Sequence, residues 1–197
     1  MTNVESPRID SGSVGDASRY RTLAALEEGL HALATPKDGG RIALIVVRGE
    51  GGRRRELARV RLEVDAGLPE DAWGRRPEPH PQKAIAVMQS DVAELIANGQ
   101  PLTLFGDNLF LSLDLSTTNL PPGSRLRIGR ALLEVTSMPH NGCHKFQARF
   151  GPDALRFVAN PGLRHRNLRG VYLRTVEGGE VASGDPVAVT RRARSLR

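Results

Sequence analysis

The chain has 197 residues, with 28 Lys and Arg against 22 Asp and Glu, for a formal net charge of +6. Hydrophobic residues at 39%, together with 21 glycines, give the composition of a folded protein of one domain, not of a disordered chain. Cys143 is the only cysteine, which excludes an intramolecular disulfide framework and any zinc site built from several thiolates.

Residues 1–16 are rich in Ser, Gly and Asp and read as disordered. Leu23, Leu26, Leu30 and Leu33 then recur at helix period within residues 17–34, and Thr35-Pro36 and Asp38-Gly39-Gly40 stop the helix. One apolar stripe of this kind is what packing against the helix's own domain requires. After Gly40 the period changes. Residues 41–48 are β-branched and apolar, 50–53 form a Gly-rich turn, and 57–64 alternate, which predicts a hairpin. Residues 65–83 carry Pro69, Pro77, Pro79 and Pro81 and form a long loop, a class that is usually functional or disordered. A strand is expected at 84–88. A short helix follows at 91–97, capped by Ser90 or Asp91 and stopped by Asn98-Gly99. Further strands are expected at 109–113, 125–128, 131–136, 171–176 and 186–189, with turns at Gly129-Arg130 and Gly178-Gly179. Many short strands with glycine turns argue for a mostly β protein, a β-barrel with a few peripheral helices and an N-terminal helix. The expected organisation is a disordered N-terminus plus amphipathic helix over 1–40, a barrel domain over 41–190 and a basic tail over 191–197.

The longest apolar runs, 42–47 and 84–88, fall far short of the roughly 20 residues that span a bilayer. The first fifteen residues lack the basic start, apolar stretch and cleavage site of a secretory signal. The expectation is a cytoplasmic protein with no membrane partner. The basic excess is local. From Leu163 onward there are eight Arg and three acids, a net of +5, against +1 for the preceding 162 residues. Aromatic residues do not interleave with the basic ones as on a base-stacking surface, so the pattern weighs against nucleic acid.

The densest cluster of reactive side chains is His140, Asn141, Gly142, Cys143, His144 and Lys145, followed by Arg149. It follows a strand and Pro139, so a strand-to-loop junction is expected. A thiol acts as nucleophile or metal ligand in its thiolate form, which neighbouring cations favour. Gly142 allows close approach of backbone to a ligand. The alternative is a buried cysteine acting as a small hydrophobe.

Several ordered pieces extend this. They are Gly106-Asp107-Asn108-Leu109, residues 120–129, residues 132–136, Pro139 to Phe146, Arg169-Gly170-Val171-Tyr172 and Gly184-Asp185-Pro186-Val187. Together they resemble the MOSC family, named for the C-terminal domain of molybdenum-cofactor sulfurases, over roughly residues 41–190. The resemblance implies a mostly β barrel with a cysteine at the mouth of a pocket. It also implies a role in sulfur carriage or in binding molybdenum cofactor, as a sulfur transferase or a cofactor-dependent enzyme, with a sulfur-donor protein as partner. On that reading Cys143 carries sulfur or ligates the metal, with His140 and Lys145 beside it. Of the family's Gly-Leu-x-Gly-Asp segment this chain keeps Gly67-Leu68 and Asp71, and it shares the Asp-x-Trp pattern and N-terminal helix of a small stand-alone subgroup. Pyridoxal phosphate, mentioned at family level, lacks an aminotransferase-like domain to host it here.

The matched residues make physical sense as an anion site. Asn108 offers donor and acceptor, and Arg149, Arg169 and Arg75 offer fork-shaped donors for the phosphate of a pterin cofactor. Asp71 could orient a cation or cap a helix. A competing expectation is a non-catalytic barrel that binds a phosphate-bearing small molecule, with the cysteine incidental.

Overall fold

The computed structural model describes residues 14–64 and 66–194. Of the stretch 1–16 expected to be disordered, 1–13 therefore lies outside the described residues, as do the last three residues of the basic tail. Ten strands run in chain order. They are β1 (Gly39–Arg48), β2 (Arg54–Glu56), β3 (Arg59–Leu62), β4 (Ile85–Gln89), β5 (Leu109–Leu111), β6 (Arg125–Ile128), β7 (Ala131–Val135), β8 (Val171–Glu177), β9 (Gly179–Ala182) and β10 (Pro186–Arg191). Four α-helices accompany them: α1 (Leu23–Ala32), α2 (Ser90–Ala97), α3 (His144–Phe150) and α4 (Pro152–Ala159).

Seven strands close a barrel in the order β1-β5-β4-β8-β7-β6-β10 and back to β1, and β2 extends β1 outside it. Every pairing in the barrel is antiparallel except β4 with β5. Closure leaves no unpaired edge in the ring. The period-2 alternation explains the two cores. Ile45, Val87, Leu109 and Leu111 point into the barrel, whereas their neighbours Val46, Met88 and Phe110 point outward under the helices. Phe105 stacks on Phe150 with ring centroids 4.1 Å apart, which joins α3 to the barrel wall. Removing a buried aromatic such as Phe150 costs roughly 3–5 kcal/mol.

Helix α1 is shorter than its leucine period suggests, because Thr22 caps it by accepting from the Ala25 amide and Leu33 already has extended backbone. The segment before it is ordered: the Gly15 amide donates to the Ala148 carbonyl at 3.1 Å, and the Tyr20 hydroxyl donates to the same carbonyl at 2.8 Å. Helix α2 starts at Ser90 with Gln89 at the cap position and no side-chain cap, so neither Ser90 nor Asp91 is the N-cap. The hairpin expected between 41–48 and 57–64 is not formed. The short β2 pairs with β1, and β3 pairs with β9. Alternation sets which face of a strand is buried, but not which strand it meets. Helices α3 and α4 went unread in the sequence, although Gly151-Pro152 and Asp153 form a helix-start signature.

Register sets the levels. Ile45, Leu109, Val87 and Val171 lie level across four adjacent strands. Arg48 and Asp107 lie beyond that level at one end of the strands and Arg169 beyond it at the other, because β8 runs parallel to β1, and the two sides meet through side chains, the Arg169 Nη1 reaching Asp107 Oδ2 at 2.6 Å. Chain leaving β7 at Val135, whose partner is Leu173, runs past Tyr172 toward the Arg169 side as the 137–143 strap.

Candidate functional site

On the helix-covered outer side of the barrel, walled by Phe105, Phe146 and Phe150 of the outer core, lies a cavity of about 420 Å³. Its cationic lining comprises Arg48, Arg54, Arg76, Lys145, Arg149 and Arg169, and no carboxylate lines it among the described residues. Helix α3 contributes one face: Lys145, Phe146, Arg149 and Phe150 share it by helical spacing and all reach the cavity.

Two buried acids hold the arginines from below. Asp71, from the long loop, accepts from the Arg48 Nε at 3.0 Å and the Arg48 Nη2 at 2.5 Å. It also accepts from the amides of Arg48 and Trp73 and from the Asn108 side chain, at 2.8, 2.9 and 2.9 Å. Burial works to raise the Asp71 carboxyl, but the Arg48 guanidinium outweighs it and holds the carboxyl below its usual range. Asp71 thus orients a cation and caps no helix. The Asn108 amide is spent on scaffold, accepting from the Ala86 amide at 3.0 Å and donating to Asp71 and to the Val46 carbonyl. It reaches the cavity only through Asp71 and Arg48. Arg75 is exposed and donates to the carbonyls of Glu70 and Arg48, while its neighbour Arg76 lines the cavity.

Asp107 is fully buried and accepts from the Arg169 Nη1 at 2.6 Å. Burial pushes its carboxyl up, against the pull of Arg169, Arg48 and Arg54. Arg169 also lies over the Phe146 ring, 5.3 Å from its centroid. His140 stacks on Tyr172 with centroids 4.4 Å apart, and its Nδ1 faces Asp107 Oδ1 at 3.5 Å. Burial, then the charges of Arg169, Arg48 and Lys83, hold the imidazole well below its ordinary pKa, so it is neutral at pH 7. Burial, then the charge on Asp107, raise the Tyr172 phenol. Arg54 is pulled down to about 10 by burial and by the positive charges of Arg149 and Arg48.

Cys143 is exposed at the cavity rim, in the N-cap position of α3, and makes no side-chain cap hydrogen bond. The reactive cluster is split: residues up to 143 belong to the strap, whereas His144 and Lys145 open the helix, which corrects the expected strand-to-loop placement for those two. Arg149 is buried and donates to the Leu104 carbonyl at 2.9 Å. Of the predicted site residues, the structure brings Cys143, His140, Lys145, Arg149 and Arg169 to the cavity directly, and Asp71 and Asn108 stand behind it. Sequence reasoning missed Arg48, Arg54, Arg76, Tyr172 and the role of Asp107. Arg54 stands just after the turn read at 50–53, and its partial burial comes with the packing of β2 beside the 3₁₀ turn at Leu102–Leu104.

A closed β-barrel with a cysteine-bearing strap beside a cationic cavity defines the class. The chain matches the model of the MOSC domain over residues 79–188, and it belongs to the MOSC domain family. Solved structures share the fold. YiiM from Geobacillus stearothermophilus aligns with a TM-score of 0.57 at 20% identity, covering 79% of this chain and 77% of that one. YiiM from Escherichia coli gives 0.55 at 22%, covering 79% and 72%. The YuaD protein from Bacillus subtilis gives 0.55 at 14%, covering 76% and 94%. At such identities the likeness speaks to fold alone. No curated protein matches the chain. Among the described residues no helix is long and apolar enough to cross a membrane.

Proposed function

We propose that the cationic cavity beside α3 binds a multiply charged, phosphate-bearing small molecule of the molybdenum-cofactor type, and that Cys143 presents its sulfur to that occupant. The observation that carries this reading is the lining: six cations and, among the described residues, no carboxylate around about 420 Å³, with the exposed thiol at the rim. Two buried acids offset only part of that charge, so an anion entering the cavity replaces repulsion among guanidiniums with charge-assisted hydrogen bonds.

The residues present fit such a group. The Nε atoms of Arg54 and Arg169 are buried without a hydrogen-bond partner, which suits an oxyanion acceptor. Arg48, Arg54 and Arg169 would hold the phosphate end, with Arg149, Arg76 and Lys145 adding charge. Among the described residues no three His, Cys, Asp or Glu side chains are grouped to hold a metal. Cys143 would therefore be a single ligand to a metal that arrives with its own donors. When bound, the cofactor supplies a redox-active metal centre. The neutral His140 ring, fixed by Tyr172 beneath it and Asp107 beside it, is the nearest group able to hold a proton at Nδ1 or Nε2 without adding charge.

For sulfur carriage, the Cys143 thiolate attacks the outer sulfur of a donor persulfide, forming a new S–S bond and releasing the donor thiolate. The test is Cys143→Ser, read by intact mass for sulfane sulfur and by elemental analysis for molybdenum. The wild type is expected to carry one or the other and the variant neither, with the fold intact. A blank on both in wild type leaves the second reading, anion binding with the cysteine incidental. That reading is favoured by the unpartnered buried Nε atoms of Arg54 and Arg169, which suit an anion without involving the thiol. It predicts that Cys143→Ala keeps the anion while Arg169→Ala loses it.

A further inference from the structure

A second cavity, of about 470 Å³, lies on the far side of the strap, within the size range of small-molecule pockets. It shares His140, Asn141 and Arg169 with the first cavity, and its other walls come from the end of α4 and the 3₁₀ turn at Pro161–Arg166. Gly142 keeps the two apart. A Cβ there would fall 2.7 Å from Leu155 Cδ1 and 3.1 Å from Val158 Cγ2, so the glycine lets the strap lie directly on α4.

The chemistry of the two cavities differs. The second has no carboxylate in its lining among the described residues, and its cations are Arg164 and Arg169. The charge on Arg169 is met by Asp107 at 2.6 Å, whereas Arg164 makes no ion pair among the described residues. One uncompensated charge therefore faces an apolar wall of Val158, Leu163 and Leu168.

We propose that this second cavity binds a small monoanionic organic molecule with an apolar body, an aryl or alkyl carboxylate, whose carboxylate Arg164 receives. Val158, Leu163 and Leu168 cover the body, and the anionic end lies toward solvent at Arg164. The occupant meets whatever fills the first cavity across His140 and Asn141, the position of a co-substrate. The inference stands on the second cavity's own lining and does not depend on the identity of the first occupant.

The test uses the full chain and two probes: 1-naphthoate, followed by its fluorescence, and pyrophosphate, followed by calorimetry. Saturable naphthoate binding is expected, weakened about tenfold by Arg164→Gln, the size of one charge-assisted hydrogen bond, and abolished by Leu163→Asp. Neither substitution should move pyrophosphate affinity. Absence of saturable naphthoate binding overturns the proposal. So does naphthoate that is displaced by pyrophosphate and weakened by Arg54→Gln but not by Arg164→Gln, since it would then occupy the first cavity. Failure of pyrophosphate alone, with the naphthoate results as expected, removes the first-cavity reading and supports this one.

Discussion

Arg48 and Asp71, 23 residues apart in sequence, meet in a two-pronged ion pair, with Nε to Oδ1 at 3.0 Å and Nη2 to Oδ2 at 2.5 Å. The acid is fully buried, and the arginine, the last residue of β1, projects into the cavity. The pair converts a flexible cation into a fixed one.

Asp71→Asn should therefore cost about 3 kcal/mol, because one partner of a buried pair is removed and the other charge is left behind. Urea unfolding measures this. Since the folded Asp71 carboxyl lies below its unfolded value of about 3.9, its contribution is present above about pH 4 and is lost as pH falls through the folded value. The variant should lack this part of the acid sensitivity. Equal stability of the two proteins at pH 7 would contradict the assignment.

Arg54→Gln should have opposite effects on stability and binding. Burial and the charges of Arg149 and Arg48 already pull this guanidinium down to about 10, so removing it relieves repulsion in the empty cavity. A gain of about 1 kcal/mol in stability, with weaker anion binding, is the expected combination. Thermal melting with and without pyrophosphate reads both at once. A destabilised variant would mean that the hydrogen bond from Arg54 to the Gly52 carbonyl outweighs the repulsion.

His140 sets a pH dependence of the opposite origin to that of a paired carboxylate. The unfolded chain protonates near pH 6.5, whereas the buried ring resists protonation until well below that. Its stabilising effect is full above about pH 6.5 and falls by up to about 1.4 kcal/mol per pH unit below it. His140→Phe keeps the stack on Tyr172 and should flatten the stability profile between pH 6.5 and 5. The other four histidines are common to both proteins, so parallel profiles would exclude a buried neutral His140.

Gly170→Ala should be severely destabilising. Its backbone is left-handed at φ 94°, and an added Cβ would stand 2.1 Å from the Val87 carbonyl oxygen, so β8 could not pair with β4 in its present register. Arg169 immediately precedes it. Expression as soluble, wild-type-stable protein would show that the strand tolerates a shift.

Local signals in the sequence carried much of this architecture. The Gly129-Arg130 turn, the Asn98-Gly99 stop and the strand at 125–128 stand where turn chemistry and alternation put them, and the strand expected at 186–189 runs on to Arg191. The cysteine strap and Arg169 were legible through their resemblance to a family pattern. Pairing across the barrel was not. Arg59 and Arg61 alternate with Val60 and Leu62 as in any half-buried strand, and nothing local pairs that strand with β9 in a two-stranded sheet outside the ring. For the same reason Arg48 reads as an ordinary strand end and Arg54 as the residue after a turn. Arg48 is held by Asp71 from the long loop and Arg54 lies beside the Leu102–Leu104 turn, contacts that no local period encodes.

Calorimetric titration of the full chain with pyrophosphate at two salt concentrations reads whether the cationic cavity is built for a multiply charged anion. Saturable one-to-one binding that weakens with salt and is lost in Arg169→Ala is expected. Titration without saturable heat at millimolar pyrophosphate and low salt would contradict it.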